Sequence, residues 1–578
     1  MDNYFVSSCK RVKDWICRQF GQKEKKTVHH KKFADGGEVI VWETGRAGEE
    51  AASYENLFLR KEIAGFRTNI RREQSCSIKS LTRDYLYKQL LSSGEYTFDH
   101  MLVIKDPYGE APLTALALFI LEEPACVRVT TKGNLKETDF VTELPKKKEH
   151  RVPILGMYAE KANDIVIEIL DDEGNCVKSH TFTIRTKRLP KSLRNVITVK
   201  KWTDKPAYSN IMINGGVKIH TCVFDIEGEI RYYLSRKPRG YGIFPLSDGH
   251  FFYMEKYISV PSYSNPQTVE SYDMDYFGRV FRTYLTEKGV HHTAEEKAGG
   301  NILTGSNSML EHTEDCVIEI DRQTGEIVWQ LNMAEILDET YQDMMDWCHV
   351  NSAAYYEKDR TILISLRNVH AVICVDYDTK KLRWILSDPK FWEGTKMTPY
   401  LLQPEGDVKW CYQQHAAFEI ALPGESNPQK KRIIVYDNHW AKRRKAKSFD
   451  KDPLSYVSFY DIDEEKKTVS LHKRFAGPKT RIRANGIYVP DKKRVYNMAG
   501  SYAEPVDGDG GGIFEYDYET GEVLSEFGVK PGFFRAYPFE PNVQELAEPM
   551  QMTGDYQVGQ IKQPQEISSS KYCKLKSE

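Results

Sequence analysis

A chain of 578 residues, 40% of them hydrophobic, is long enough for two or more folded units, each with its own core. Its 81 basic and 83 acidic side chains leave a formal net charge of -2, so nothing in the charge balance calls for nucleic acid, and the basic runs at 23–32, 146–150 and 442–447 read as solvated loops. No apolar run reaches the roughly 18 residues of a membrane helix, and 11 cysteines without a CxxC pair suit reduced thiols.

Residues 1–94 read as a mixed, partly helical extension, with the best helical pattern at 81–91. Lys10, Arg11, Lys13, Asp14 and Arg18 interrupt the stretch a signal peptide would occupy. The expectation is therefore a cytoplasmic protein, with a periplasmic or exported form as the alternative if a signal segment has been removed. Residues 95–190 show short strands at 114–120, 127–130, 165–169 and 180–184, the last after the turn Asp171-Asp-Glu-Gly174, and predict a small β-sandwich ending near Pro190. Residues 191–540 carry a repeat, and 541–578 form a polar, proline-containing tail.

The repeat shows first in its turns. Short acidic turns, often with glycine, stand at Asp225, Asp275, Asp321, Asp378, Asp463 and Glu519, between runs that alternate as half-buried strands do. The first intervals are 50, 46 and 57 residues, close to the roughly 40 to 50 of a propeller blade. Asp378 to Asp463 spans 85, with the excess in polar stretches at 389–410, 424–430 and 440–454 that read as loops on one blade. The predicted fold class is all-β, a six-bladed β-propeller preceded by a small β-sandwich.

Three histidines mark successive repeats: His292 in Gly289-Val-His-His-Thr-Ala-Glu295, His349 in Trp347-Cys-His-Val-Asn-Ser-Ala353 and His415 in Tyr412-Gln-Gln-His-Ala-Ala-Phe418. Equivalent positions in a closed repeat fold converge on its axis, so the three are expected to share a site. His291 is the neighbouring alternative to His292. His180, His220, His312 and His472 read as structural, and Cys348 and Cys411 as small core residues. Asp437 and Asn438 read as braces, and Arg483 and Asn485 as structural. Tyr436 and Trp440 are candidates for an aromatic pocket wall.

The runs Trp347-Cys-His-Val-Asn-Ser352, Ser365-Leu-Arg367, Gln414-His-Ala-Ala417 and Tyr436-Asp-Asn438, with Arg151-Val-Pro-Ile-Leu-Gly-Met-Tyr158, Asn163 and Leu189-Pro190, resemble bacterial arylsulfate sulfotransferases over about 95–530. The resemblance implies a six-bladed propeller behind a sandwich. It also implies nucleotide-independent transfer of a sulfuryl group from an aryl sulfate to a phenol, through a sulfohistidine and with ping-pong kinetics. It assigns His415 as nucleophile, His292, His349 and Arg367 as further catalytic residues, and Asn351, Arg367 and His349 as substrate-binding residues. A planar guanidinium can bind two sulfate oxygens at once, which a lysine cannot.

The expected partners are a small aryl sulfate donor and a phenolic acceptor, with neither nucleic acid nor membrane, and with a homodimer as the assembly to test. No cofactor and no metal are expected. The alternative is a metal-dependent hydrolase or lyase built on the three imidazoles. Against it, no carboxylate shares the repeat position of the histidines, and Arg367 would repel a cation. A propeller that only binds a partner is a third reading, which leaves the His and Arg cluster unexplained.

Overall fold

The computed structural model describes residues 28–550, apart from 34–35, 52–75, 204, 217, 237–240, 259–266, 309–311, 423, 441–451 and 505–507. Among the described residues no helix is long and apolar enough to cross a membrane.

The amino-terminal unit is a seven-stranded sheet folded on itself around one long strand, Ala115–Thr131. Its first half pairs with His100–Lys105 and its second half with Ala162–Leu170, while Phe140–Ile154 runs beside it throughout. The register with Phe140–Ile154 slips between Ile120 and Ala125, where Pro124 can donate no ladder hydrogen bond. The break lets one strand serve both faces of a sandwich, closed over Val103, Ala117, Phe119, Val129, Val152, Ile165 and Ile184.

One feature differs from the mixed, partly helical extension expected upstream, and one agrees with it. Strands Val28–Lys32 and Glu38–Trp42 extend the sandwich sheet, the second pairing in parallel with His100–Lys105. The helical pattern at 81–91 lies within a helix, Cys76–Ser92, that bridges propeller and sandwich: Ser80 Oγ accepts from Val280 N of the propeller at 3.1 Å, and buried Asp84 accepts from Arg151 Nη2 of the sandwich at 2.6 Å. The carboxyl end is less of a free tail than expected up to residue 550. A short helix, Val543–Ala547, offers backbone carbonyls to buried Arg279, and Met550 N donates to Asp84 at 2.9 Å. The rest of the expected tail, 551–578, lies outside the described residues.

Behind the sandwich stand six blades. Blade one has Arg535–Pro538 innermost, followed outward by 210–214, 222–225 and 230–233. Blades two and three share a sheet because Val280–Glu296 is the outer strand of one and the inner strand of the next. Blades four, five and six begin at Val350, His415 and Ala484. The ring closes twice: the late strand Arg535–Pro538 lines the axis in blade one, and the early strand Ile197–Lys201 edges blade six.

Each acidic turn joins the last two strands of a blade, for a local reason. Asp225, Asp275, Asp321, Asp376, Asp463 and Asp517 each accept backbone N–H groups two to four residues on, at 2.7 to 3.1 Å. This aspartate cap fixes the hairpin. In blades four and six the capping residue is Asp376 and Asp517, two residues before the Asp378 and Glu519 marked from sequence.

Candidate functional site

The inner strands of blades three, four and five all start with a bulge. Register with the second strand slips between His291 and Ala294, Val350 and Ser352, and His415 and Phe418. Bulges of this kind re-aim side chains. His292 (φ 59°), His349 (φ 57°) and Arg483 of blade six (φ 64°) lie in the left-handed region, where a residue with a Cβ is strained by about 1–3 kcal/mol. In blade five Ala416 holds that conformation (φ 47°), so His415 precedes the left-handed residue instead of occupying it. The three histidines thus share the blade end but not one backbone position.

They nevertheless meet. The rings of His292 and His349 lie 4.7 Å apart, and His415 is close enough to His292, His349, Arg367 and Arg535 for their charges to act on it. Arg367 follows directly from the same blade, its backbone N–H donating to His349 O at 3.1 Å. Its guanidinium is held by Asn368 Oδ1 at 3.1 Å and Arg481 O at 3.3 Å. Asn351 has a different part. Its Nδ2 donates to Gln414 O at 2.8 Å and its own carbonyl accepts from Arg535 Nη2 at 2.7 Å. One N–H of its amide is therefore committed to the backbone beside His415, where it braces blades four and five.

The hydrogen bonds assign each imidazole a protonation state. Nδ1 of His415 lies 2.6 Å from Asn438 Oδ1, and Asn438 Nδ2 donates to Thr480 Oγ1 at 2.8 Å, which fixes the amide. Nδ1 must carry the proton, and Nε2 keeps its lone pair. The only contact to Nε2 among the described residues is Arg483 N at 3.5 Å, at the limit of a hydrogen bond. Burial, then Arg367, holds the pKa of His415 well below the usual histidine value against the pull of Asn438. Burial and the neighbouring histidines do the same for His292.

His349 is the opposite case. Its Nδ1 faces Glu314 Oε2 at 2.6 Å and both oxygens of Asp346 at 3.0 Å. Burial opposes its charge, but the two carboxylates together outweigh burial and push its pKa up to about 9. Its Nε2 has no hydrogen-bond partner among the described residues. Glu314 is fully buried: its N–H donates to Asn307 Oδ1, its carbonyl accepts from Val350 N, and its Oε1 accepts from Tyr241 Oη at 3.2 Å.

Glu314, Asp346, Tyr241 and Arg535 were not found in the sequence. No carboxylate shares the repeat position of the histidines, yet two stand beside His349. Glu314 comes from a loop of blade three, outside the repeat position, and Asp346 lies three residues before His349.

Two donor groups have metal-like proximity, His291, His292 and Glu314, and Glu314, Asp346 and His349, each within 4.8 Å. The fit to an ion is poor. Two ligands on one zinc stand roughly 3.4 Å apart, whereas His349 Nδ1 and Glu314 Oε2 are 2.6 Å apart.

The aromatic candidates separate. Tyr436 is fully buried in the core between blades five and six. Trp440 is half-buried under Arg481, 6.0 Å from its ring. Cys348 and Cys411 are buried thiols whose pKa values burial raises well above the usual range, as befits inert core residues.

The arylsulfotransferase (ASST) family model matches residues 195–535, the propeller, and the arylsulfotransferase Ig-like domain model matches 102–187, the sandwich. The chain belongs to the arylsulfotransferase family. Its relatives include the arylsulfate sulfotransferase AssT of Escherichia coli O6:H1 (strain CFT073), 23% identical over 566 residues, covering 74% of this chain and 90% of the relative. The AssT of Lelliottia amnigena is 22% identical over 563 residues with the same coverage. Among solved structures, the WD40 domain of Toxoplasma gondii coronin aligns with a TM-score of 0.28 at 9% identity, over 74% of this chain and 77% of that one.

Proposed function

We propose that this arylsulfotransferase moves a sulfuryl group from an aryl sulfate to a phenol by way of a sulfohistidine on His415. The observation that carries this reading is the His415–Asn438 hydrogen bond, which reserves Nδ1 for the proton and leaves Nε2 as an unprotonated nucleophile. A sulfate monoester, like a phosphate, transfers through a loose transition state, so positioning and positive charge do most of the catalysis.

Arg367 and Arg535 supply that charge beside His415. Nε2 attacks sulfur, the N–S bond forms, and the S–O bond to the aryl group breaks with its electron pair going to oxygen. His349, held protonated by Glu314 and Asp346, gives its Nε2 proton to the departing phenolate. The same nitrogen then takes the proton of the acceptor phenol as its oxygen displaces His415. Atoms and protons balance over the two halves, and no nucleotide enters.

Nitrophenolate release from p-nitrophenyl sulfate by metal-free protein, with and without phenol and without nucleotide, tests the reading. Release that rises with phenol and disappears in His415→Asn supports it. Release that survives His415→Asn but stops with a chelator would return the site to metal-dependent hydrolysis.

A further inference from the structure

Three neighbouring inner strands lead from the histidines to a cavity of about 320 Å³. His292 stands in the inner strand of blade three, and its ring centroid lies 4.3 Å from that of Tyr241 and 6.0 Å from that of Phe534. Tyr241 leads into Gly242–Pro245, the inner strand of blade two, and Phe534 leads into Arg535–Pro538, that of blade one. The cavity is lined further along the same three runs of chain, by Glu295, Leu246 and Pro538, together with Phe244, Tyr276 and Glu540. Its volume suits a small organic ligand, and none of the three histidines lines it.

The lining carries two carboxylates and, among the described residues, no lysine, arginine or histidine. Glu540 is exposed. Glu295 keeps 31% of its side-chain surface open, and its charge is poorly matched. Thr293 Oγ1 donates to its Oε1 at 3.3 Å, Arg535 Nη1 stands 3.7 Å away, beyond hydrogen-bond reach, and Oε2 receives no donor among the described residues. Arg535 Nη2 is committed instead to Asn351 O, at 2.7 Å. Burial pushes the pKa of Glu295 up to about 7 against the pull of Arg535, as expected of a carboxylate short of positive charge. Phe244 and Tyr276 add aromatic rings, which attract cations.

We propose that this cavity binds an organic ammonium ion with an apolar body, its N–H groups donating to Glu295 and Glu540 and its body resting on Phe244, Leu246, Tyr276 and Pro538. The catalytic end, with Arg367, Arg535 and a protonated His349, repels such a cation, so the two ends of these strands take ligands of opposite charge. The ammonium site stands whether or not the sulfuryl-transfer reading does, because its test reads binding alone.

Benzylamine and benzyl alcohol have the same shape and differ in charge. In a ligand-observed NMR titration at pH 8, where Glu295 and the amine are both ionised, the wild-type protein should bind benzylamine about 10- to 100-fold more tightly than benzyl alcohol. Glu295→Gln should erase that preference while leaving benzyl alcohol binding unchanged. Glu540→Gln, on the exposed rim, should reduce the preference several-fold, and it decides the matter if the Glu295 variant does not fold. His415→Asn should leave both affinities as they are. A wild-type protein that binds the amine no more tightly than the alcohol overturns the proposal. So does a preference that survives Glu295→Gln, or one that is lost in His415→Asn, which would place the amine at the catalytic end.

Discussion

Asn438 Oδ1 sits 2.6 Å from His415 Nδ1, and Asn438 Nδ2 is tied to Thr480, so one amide decides which nitrogen of His415 is free. Replacing the amide oxygen with a carboxylate keeps the hydrogen bond but stabilises the imidazolium. In Asn438→Asp the acid limb of the pH–rate profile should move up toward neutrality, because a larger fraction of His415 is then protonated and unable to attack. Asn438→Ala should cost about 10- to 100-fold in kcat by freeing the ring, and should move the limb further toward acid, since the lost hydrogen bond is one that raises the His415 pKa.

The pH dependence follows from opposite shifts in two histidines. His415 must be neutral, and its pKa lies well below 6.5, so activity should hold through mildly acidic pH. His349 must be protonated for the first half-reaction, and its pKa of about 9 sets an alkaline limb near that value. Glu314→Gln should shift that limb down, and His349→Gln should slow phenyl sulfate far more than p-nitrophenyl sulfate, whose leaving group needs no proton. Equal losses on the two donors would remove His349 as the acid.

Stability carries the same signature with a definite sign. The folded pKa of His349 is raised from 6.5 to about 9, so its contribution is full below pH 6.5 and is lost as pH rises toward 9. His292 and His415 are depressed, so they favour unfolding as pH falls below 6.5. Denaturant titration across this range should show both slopes, and His349→Gln should flatten the alkaline one.

Arg367→Lys keeps the charge and loses the planar fork. We expect kcat/KM to fall about 10²- to 10³-fold. A lysine variant of near wild-type activity would mean that point charge suffices.

Tyr436→Phe tests the separation of core from pocket. The ring is fully buried between blades five and six, and phenylalanine keeps its shape, so kcat and KM should both stay within about twofold. A change in acceptor preference would place Tyr436 at the pocket after all.

The blade count was legible because one physical device, an aspartate capping a hairpin, must recur wherever the last two strands of a blade meet. The site histidines were legible because they open inner strands, although the bulges that shift His415 by one residue from His292 and His349 leave no mark in sequence. Glu314 was not legible: it belongs to a loop whose place beside His349 depends on the packing of blades three and four. Arg535 was hidden by topology, since a strand near the carboxyl end closes blade one and reaches the axis. The bracing contact of Asn351 with Gln414 O was not legible, because its residue type fits substrate binding and backbone bracing equally. The strand at 28–32 is short and polar and that at 38–42 short and apolar, and both take their conformation from the sheet they join.

The covalent step is the central claim, and it can be trapped. Protein mixed rapidly with p-nitrophenyl sulfate and no acceptor should release a burst of about one nitrophenolate per chain, and peptide mass analysis should find a sulfuryl adduct on His415, lost when phenol is added. The same burst and adduct should be absent in His415→Asn. Steady phenol-dependent turnover with neither burst nor adduct would contradict the account, since transfer would then pass directly from donor to acceptor.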